Sequence, residues 1–451
     1  MVNGTLPSGW EWTNIGTVAD TTSGGTPSRK YPEYFEGTIP WVKSGELGDG
    51  LVSNTEEKIT EIAIKNSSAK IFPAGIVLVA LYGATVGKVG ILNMDAASNQ
   101  AVCALFPKNN LFLEKYMFFW LMSQRKDLIN KSIGGAQPNI SQGIVRSHPF
   151  PLAPIPEQER IVSRIEELFS DLEAGVAALE RVRAGLKRYK ASVLRAVFEG
   201  KLVKQNPLDK PVDKLIQRID QEKLQLINSS NIAKPSLLPM IMDNEKPFDI
   251  PNKWTWVRLD SICSLIMDIA HKMPKAVEVG IKFISAKDLI DDGTINFDHD
   301  VKRISERDYQ NLAKRIEPKR NDIIYSRIGA RLGKARLVET DEKFMVSYSC
   351  CVIRPIGVNE KFLAYYLDSG VVLQQARTSA QSIGVPDLGM AKIKNFVIPL
   401  PPLDERRRIV AETERRLSVV GEVESAVEAG MVRAARLRQS VLRSAFEGRL
   451  K

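Results

Sequence analysis

Long apolar runs are missing from this chain. No stretch of 18 apolar residues occurs, so no membrane-spanning helix is expected. The first residues lack a charged start followed by an apolar segment, which argues against a secretory signal. Cysteine is sparse. The 451 residues hold 4, none spaced as Cys-x-x-Cys, so neither a disulfide framework nor a zinc site is expected, and a reducing, cytoplasmic setting is. Cys103 and Cys351 sit inside apolar runs and read as core residues. The 3 histidines, His148, His271 and His299, are scattered, so a histidine-based metal site is not expected. Catalytic signatures are lacking too. There is no Asn-Pro-Pro-aromatic motif of amino methylation, no discernible nuclease cluster of carboxylates and lysine, and no Gly-rich nucleotide fingerprint after a strand. Gly83-Ala84-Thr85-Val86-Gly87-Lys88 lacks the first glycine and the spacing of a phosphate loop.

What the chain does have, it has twice. Residues 192–202 read SVLRAVFEGKL and residues 440–450 read SVLRSAFEGRL, an offset of 248. The same offset places Ile161-Val162 on Ile409-Val410 and Pro151-Leu152 on Pro399-Leu400. Upstream, LPSGWEWTNI with Trp10 and Trp12 matches IPNKWTWVRL with Trp254 and Trp256. Ile39 to Leu51 resembles Ile281 to Ile295 with a small length change. Leu81–Lys88 falls on Arg327–Lys334, and Asn99–Cys103 on Ser347–Cys351. Each unit is about 200 residues, far longer than a solenoid repeat. The pattern is a tandem duplication of one globular domain plus one helix.

The first 150 residues hold short apolar runs bounded by Gly, Pro or Asn, Ile76–Leu81, Val89–Leu92 and Ala101–Leu105, which read as strands. Single helices are expected at 113–131 and at 360–376. From Glu157 the period changes. Ile161, Ile165, Leu168, Leu172, Val176, Leu179, Val182, Leu186 and Val193 recur at steps of three and four, the stripe of a long helix. Over 157–199 it would be about 65 Å long. The second copy repeats the stripe with Ile409, Leu417, Val420, Val423, Val427, Met431, Leu437 and Val441. Two such stripes are best covered by packing on each other as a coiled coil, with two separate helices lying on the globular domains as the alternative. A Pro-rich arm precedes each helix and reads as extended, non-ladder chain. A short helix around 212–227 and a linker over 229–252 separate the copies. The domains are thus 1–150, 151–205 (arm and long helix), 206–250 (short helix and linker), 251–398 and 399–451 (arm and long helix), an α+β architecture.

Charge is unevenly spread. Residues 1–150 hold 13 Lys/Arg against 12 Asp/Glu, whereas residues 251–398 hold 23 against 18. A net +10 without a membrane signature makes nucleic acid a fair candidate partner.

The ordered series LPSGWEW, a strand block ending at a Gly-rich turn with Lys88, IPEQERIV leading into a long helix, and the tail SVLRAVFEGKL resembles the specificity subunit of type I restriction-modification systems. The resemblance covers nearly the whole chain and is carried twice. The second copy departs from it, with Pro402-Leu403-Asp404-Glu405-Arg406 where Pro-Glu-Gln-Glu-Arg is the usual form. The resemblance implies two target recognition domains, each reading half of a split, asymmetric site in double-stranded DNA. It implies helices that run antiparallel as a spacer. Two domains held on one face of DNA would read half-sites about one DNA turn (roughly 34–36 Å) apart. It also implies docking of two modification subunits, which bind S-adenosylmethionine and methylate adenine, and of restriction subunits that use ATP and Mg²⁺. This chain itself would be non-catalytic and bind no cofactor. A free-standing DNA enzyme and a protein-binding coiled-coil scaffold are the competing classes; the missing motifs weigh against the first, and salt-dependent DNA affinity would weigh against the second.

Base reading needs side chains on loops that reach base edges, while phosphate contacts only position the protein. In the first domain the candidates are Thr26, Ser28, Arg29 and Lys30 on a glycine-bearing loop, then Lys43, Ser44, Tyr82, Thr85, Lys88, Asn99, Gln100, Gln137 and Asn139. In the second they are His271, Lys272, Lys287, Arg327, Arg331, Lys334, Tyr348 and Ser382, with Arg327 and Arg331 favoured because they flank a glycine in the most basic domain.

Overall fold

The computed structural model describes residues 6–131, 139–229, 238–269, 273–291, 293–298, 300–379 and 386–450. The chain divides into two units, Met1–Val182 with Ala426–Lys451, and Arg183–Ser425. Two tandem mixed α/β domains are joined by two long helices, Ile155–Phe198 and Leu403–Phe446, each of 44 residues.

In the first unit a five-stranded sheet runs in the order Ala19–Ser23, Val102–Pro107, Val77–Ala80, Val89–Leu92, Gly50–Val52. Strand Val77–Ala80 is buried on both faces, which suits its unbroken Val/Leu/Ala run. A second sheet is built around Ile39–Val42, parallel to Ala96–Ser98 and antiparallel to Glu57–Ile59. The second unit repeats this plan. Its larger sheet runs Cys263–Asp268, Cys350–Pro355, Ile323–Ser326, Ala335–Leu337. Its smaller sheet pairs Ile281–Ile284 parallel to Phe344–Val346 and antiparallel to Arg303–Ile304.

The Pro-rich arms are extended, but they are not free of a ladder. Pro149–Leu152 pairs antiparallel with Glu11–Asn14, and Val397–Leu400 with Thr255–Arg258. Each arm therefore clips onto the tryptophan-bearing strand of its own copy. Proline lacks N–H, so the arm relies on its carbonyls. Trp120 Nε1 donates to Pro149 at 3.0 Å and the Tyr116 hydroxyl to Pro151 at 2.8 Å. In the second unit the Tyr366 hydroxyl donates to the Val397 carbonyl at 3.0 Å.

The helix expected over 113–131 forms as Glu114–Asn130. Its counterpart is two pieces, Glu360–Leu367 and Gly370–Ser379, rather than one. The break falls where Asp368 turns inward to accept from the Ala335 amide at 3.1 Å and to pair with buried Arg336 at 2.8 Å.

The long helices pack antiparallel within each unit. In the first, Arg438 lies 3.7 Å from Glu173 and 4.4 Å from the Phe169 ring, and Gly430 lies against Leu179. In the second, Leu194 lines a cleft with Leu417 and Val420. Each helix tail enters the core of a unit made mostly from the other half of the sequence. Phe446 stacks edge-on against Tyr116 (5.2 Å) and Trp120 (5.1 Å), while Phe198 meets Tyr366 at 4.9 Å.

The repeated Glu-Gly of the tails closes this joint. Gly200 and Gly448 adopt φ of +67° and +69°, the left-handed conformation that ends a helix. A β-carbon on Gly200 would lie 2.4 Å from Pro251, and one on Gly448 2.0 Å from Pro7. Both prolines belong to the repeated tryptophan motif. Gly200→Ala and Gly448→Ala are each expected to lower stability by about 2 kcal/mol, from backbone strain plus the clash, as read by chemical denaturation.

Candidate nucleic-acid interface

Backbone hydrogen bonds gather the sequence-nominated loops of the first unit into one cluster. Gly25 N donates to Ser98 O at 2.9 Å, Asn99 N to Val42 O at 2.9 Å, and Leu81 N to Ala101 O at 2.8 Å. Ile140 N reaches Leu81 O at 2.8 Å, and Tyr82 bridges Asn139. Thr26 hydrogen-bonds Gln100 across the cluster. The turn carrying Thr85 and Lys88 is set by Gly83 and Gly87, at φ +85° and +75°.

The cations here are not equivalent. Arg29 lies 4.0 Å over the Phe35 ring and pairs with Glu57 at 2.7 Å. Lys43 pairs with Glu56 at 2.7 Å and Glu57 at 3.1 Å. Burial works to raise the Glu57 carboxyl, but the hydrogen bonds from Lys43 and Arg29 outweigh it and hold the group below its ordinary value. Ser28 and Lys30 are exposed, Ser44, Tyr82, Thr85, Lys88 and Asn99 are half-buried, and Asn139 is exposed. The Asn99 carboxamide oxygen accepts from the Ala101 amide at 3.1 Å, which fixes the bend of its own loop. Gln137 lies outside the described residues.

The second unit rebuilds the same frame with other side chains. Ser347 N donates to Ile284 O at 2.7 Å, Arg327 N to Ser349 O at 2.9 Å, and Leu388 N to Arg327 O at 2.9 Å. Ile328 bridges Asp387 as Tyr82 bridges Asn139. Gly329 and Gly333 take φ of +91° and +90° in the turn. By these bonds Arg327 occupies the place of Leu81, and Asp387 that of Asn139.

Arg327 is only 5% exposed. It pairs with Asp387 at 2.7 Å and with Asp268 at 3.3 Å, so it holds the segment around Asp387 against the turn rather than standing out from it. Arg331 and Lys334 are part-exposed on the turn and both reach Asp291. Lys287 is exposed, and Tyr348 is half-buried beside the small-sheet core. His271, Lys272 and Ser382 lie outside the described residues. Glu57, Asp268, Asp291 and Asp387 carry no motif that marks them in the sequence. The only signal for Asp291 is its place in the repeated block, where it matches Asp49.

Among the described residues no group of three or more His, Cys, Asp or Glu is placed to hold a metal ion. No described helix is long and apolar enough to cross a membrane.

The profile described as Type I restriction modification DNA specificity domain matches residues 7–181 and 251–414. The EcoAI type I restriction enzyme specificity subunit of Escherichia coli is 24% identical over 479 residues, covering 91% of this chain and 77% of that protein. The MjaIX specificity subunit of Methanocaldococcus jannaschii is 24% identical over 410 residues, covering 88% and 84%. A chain solved in a study of complex assembly and conformational transition of the type I R-M system superposes with a TM-score of 0.65 at 20% identity over 99% of both chains, a likeness of fold.

Proposed function

Because the chain belongs to the type I restriction-modification DNA specificity family, a family of non-catalytic subunits, we propose that its two units read the two halves of one bipartite, asymmetric DNA site. One observation carries this reading. The same loop frame occurs twice with different side chains at matching exposed or part-exposed places: Tyr82 against Ile328, Thr85 against Arg331, Asn139 against Asp387. A shared frame fixes how each unit lies on the duplex, and the changed side chains read different bases. Arg29, Lys30, Lys43, Lys88, Asn99, Gln100, Asn139, Lys287, Arg331 and Lys334 are the exposed or part-exposed candidates for DNA contact by charge or amide chemistry.

The helices set the spacing of the two halves and dock two modification subunits, in the cytoplasm. An apolar groove of about 530 Å³ in the first unit, lined by Leu168, Leu172, Val176, Leu179, Leu437 and Val441, supports a helix-docking role. S-adenosylmethionine, ATP and Mg²⁺ belong to the modification and restriction partners in this reading. The test is methylome sequencing of a host expressing the chain with its cognate modification subunit, against a host lacking the chain. A new split motif with methylated adenine in each half is the expected result; a stable complex without new methylation would sink it. Lengthening both long helices by one turn, about 5.4 Å, is expected to lengthen the tolerated spacer between the halves. An unchanged spacer would remove the ruler role.

A further inference from the structure

The turn between Ile323–Ser326 and Ala335–Leu337 carries buried Arg327 and two part-exposed cations, Arg331 and Lys334, and both of the latter are clamped. Arg331 donates through Nη1 to the Leu289 carbonyl at 3.0 Å and to Asp291 at 3.2 Å. Lys334 meets the same carboxylate at 2.8 Å. Among the described residues the Nε and Nη2 edge of Arg331 has no partner. The Asp291 side chain is itself 70% exposed, and the backbone beside it is tied down. Buried Arg336 donates through Nε to the Ile290 carbonyl at 2.8 Å, Leu289 bridges Ile295, and Asn296 N donates to Asp288 O at 2.8 Å. The hydrogen bond from Lys334, then its charge, hold the Asp291 carboxyl below its ordinary value.

The first unit keeps the acid but uses it differently. Glu46 and Asp288 each bond back to the backbone amide three residues before them, Lys43 at 2.6 Å and Ser285 at 2.7 Å. That register puts Asp49 in the place of Asp291. Asp49 accepts from the Val89 amide at 3.2 Å and pairs with Arg125 of helix Glu114–Asn130. Thr85 and Lys88 stand where the second unit has Arg331 and Lys334. Only in the second unit does this carboxylate grip the cations of the turn.

We propose that Asp291 is a specificity-determining residue, which fixes Arg331 and Lys334 so that the free edge of Arg331 reads a base instead of seizing the nearest phosphate. The inference rests on the reading of this turn as DNA-facing. An unrestrained arginine or lysine gains most of its DNA affinity from phosphate, without regard to sequence. A guanidinium held by one edge keeps its remaining two donors in a fixed fork, the geometry that pairs with guanine O6 and N7. The carboxylate also repels any phosphate that comes close, a cost borne by every misplaced duplex. Asp291 thus trades affinity for discrimination.

The experiment uses the assembled complex with modification subunits and two duplexes, one carrying the methylome-derived motif and one with the second half scrambled. Binding is measured across a salt series for the parent, Asp291→Asn, Asp291→Glu and Arg331→Ala. Asp291→Asn is expected to bind the scrambled duplex several-fold more tightly and to steepen its salt dependence by about one to two units of slope, since each freed cation adds roughly 0.9. The preference for the intact motif is expected to fall about tenfold, Asp291→Glu to restore it, and the methylated motif to lose definition in its second half only. An Asp291→Asn complex that weakens on both duplexes, or that changes neither, overturns the inference. If Arg331→Ala relaxes the second half while Asp291→Asn does not, the DNA-facing reading of the turn stands and the role of Asp291 falls. If neither variant changes recognition, that reading of the turn falls with it.

Discussion

Arg327→Leu is expected to destabilise the second unit by about 3 kcal/mol, even though leucine is the residue at the matching place in the first unit. The guanidinium is 5% exposed and sits between Asp268 and Asp387. Removing it leaves the Asp268 carboxylate, itself 6% exposed, with Arg315 at 3.1 Å as its remaining charge partner. A buried carboxylate that loses a partner suffers the desolvation cost without the compensating attraction. Chemical denaturation of the purified chain checks the number. Adding Asp268→Asn to the leucine variant is expected to recover part of the loss, because the orphaned charge is gone; a double variant no more stable than Arg327→Leu alone would show that packing, not charge, sets the cost.

The second large effect is a pH dependence from His148. This ring is 1% exposed, and neither of its nitrogens has a hydrogen-bond partner among the described residues. Burial, with Lys131 adding to it and Asp127 opposing, lowers its pKa to about 4. The unfolded chain protonates this histidine near pH 6.5, the folded chain only near pH 4. Between those values the unfolded state binds the extra proton, so stability falls as pH falls, by up to about 3 kcal/mol. The matching residue of the second unit is Phe396, also buried. His148→Phe is therefore expected to abolish this acid slope between pH 6.5 and 4, and to raise stability near neutrality by about 1 kcal/mol by removing two unpaired polar atoms. Denaturation midpoints at pH 5 and 7 for both chains decide it; an undiminished slope in the phenylalanine variant would assign the acid sensitivity elsewhere.

The duplication was legible because motif order survives in sequence even where identity does not, and apolar periodicity alone locates the long helices. The tail joints were not legible. Phe446 and Tyr116 meet across more than half the chain, and no local pattern announces such a partner. Prolines mark the arms as extended, but their pairing with Glu11–Asn14 and Thr255–Arg258 depends on a register only the fold supplies. Among the candidate DNA-contacting residues, loops were easier to find than roles. A glycine beside a cation marks a turn, so the Arg327–Lys334 segment stood out. Whether each cation is presented or buried depends on acids such as Asp387, 60 residues from Arg327. Glu57 does the same for Arg29 and Lys43. Charge partners across a fold leave no spacing rule in sequence.

The joint between each tail and the opposite half has a consequence for chain economy. Tail Gly448 abuts Pro7 just as tail Gly200 abuts Pro251. A polypeptide holding one half alone would carry a domain whose core is closed, in this chain, by the tail of the other half. It could complete its core by exchanging tails with a second copy of itself. Such an exchange would build a two-fold symmetric assembly from half the sequence.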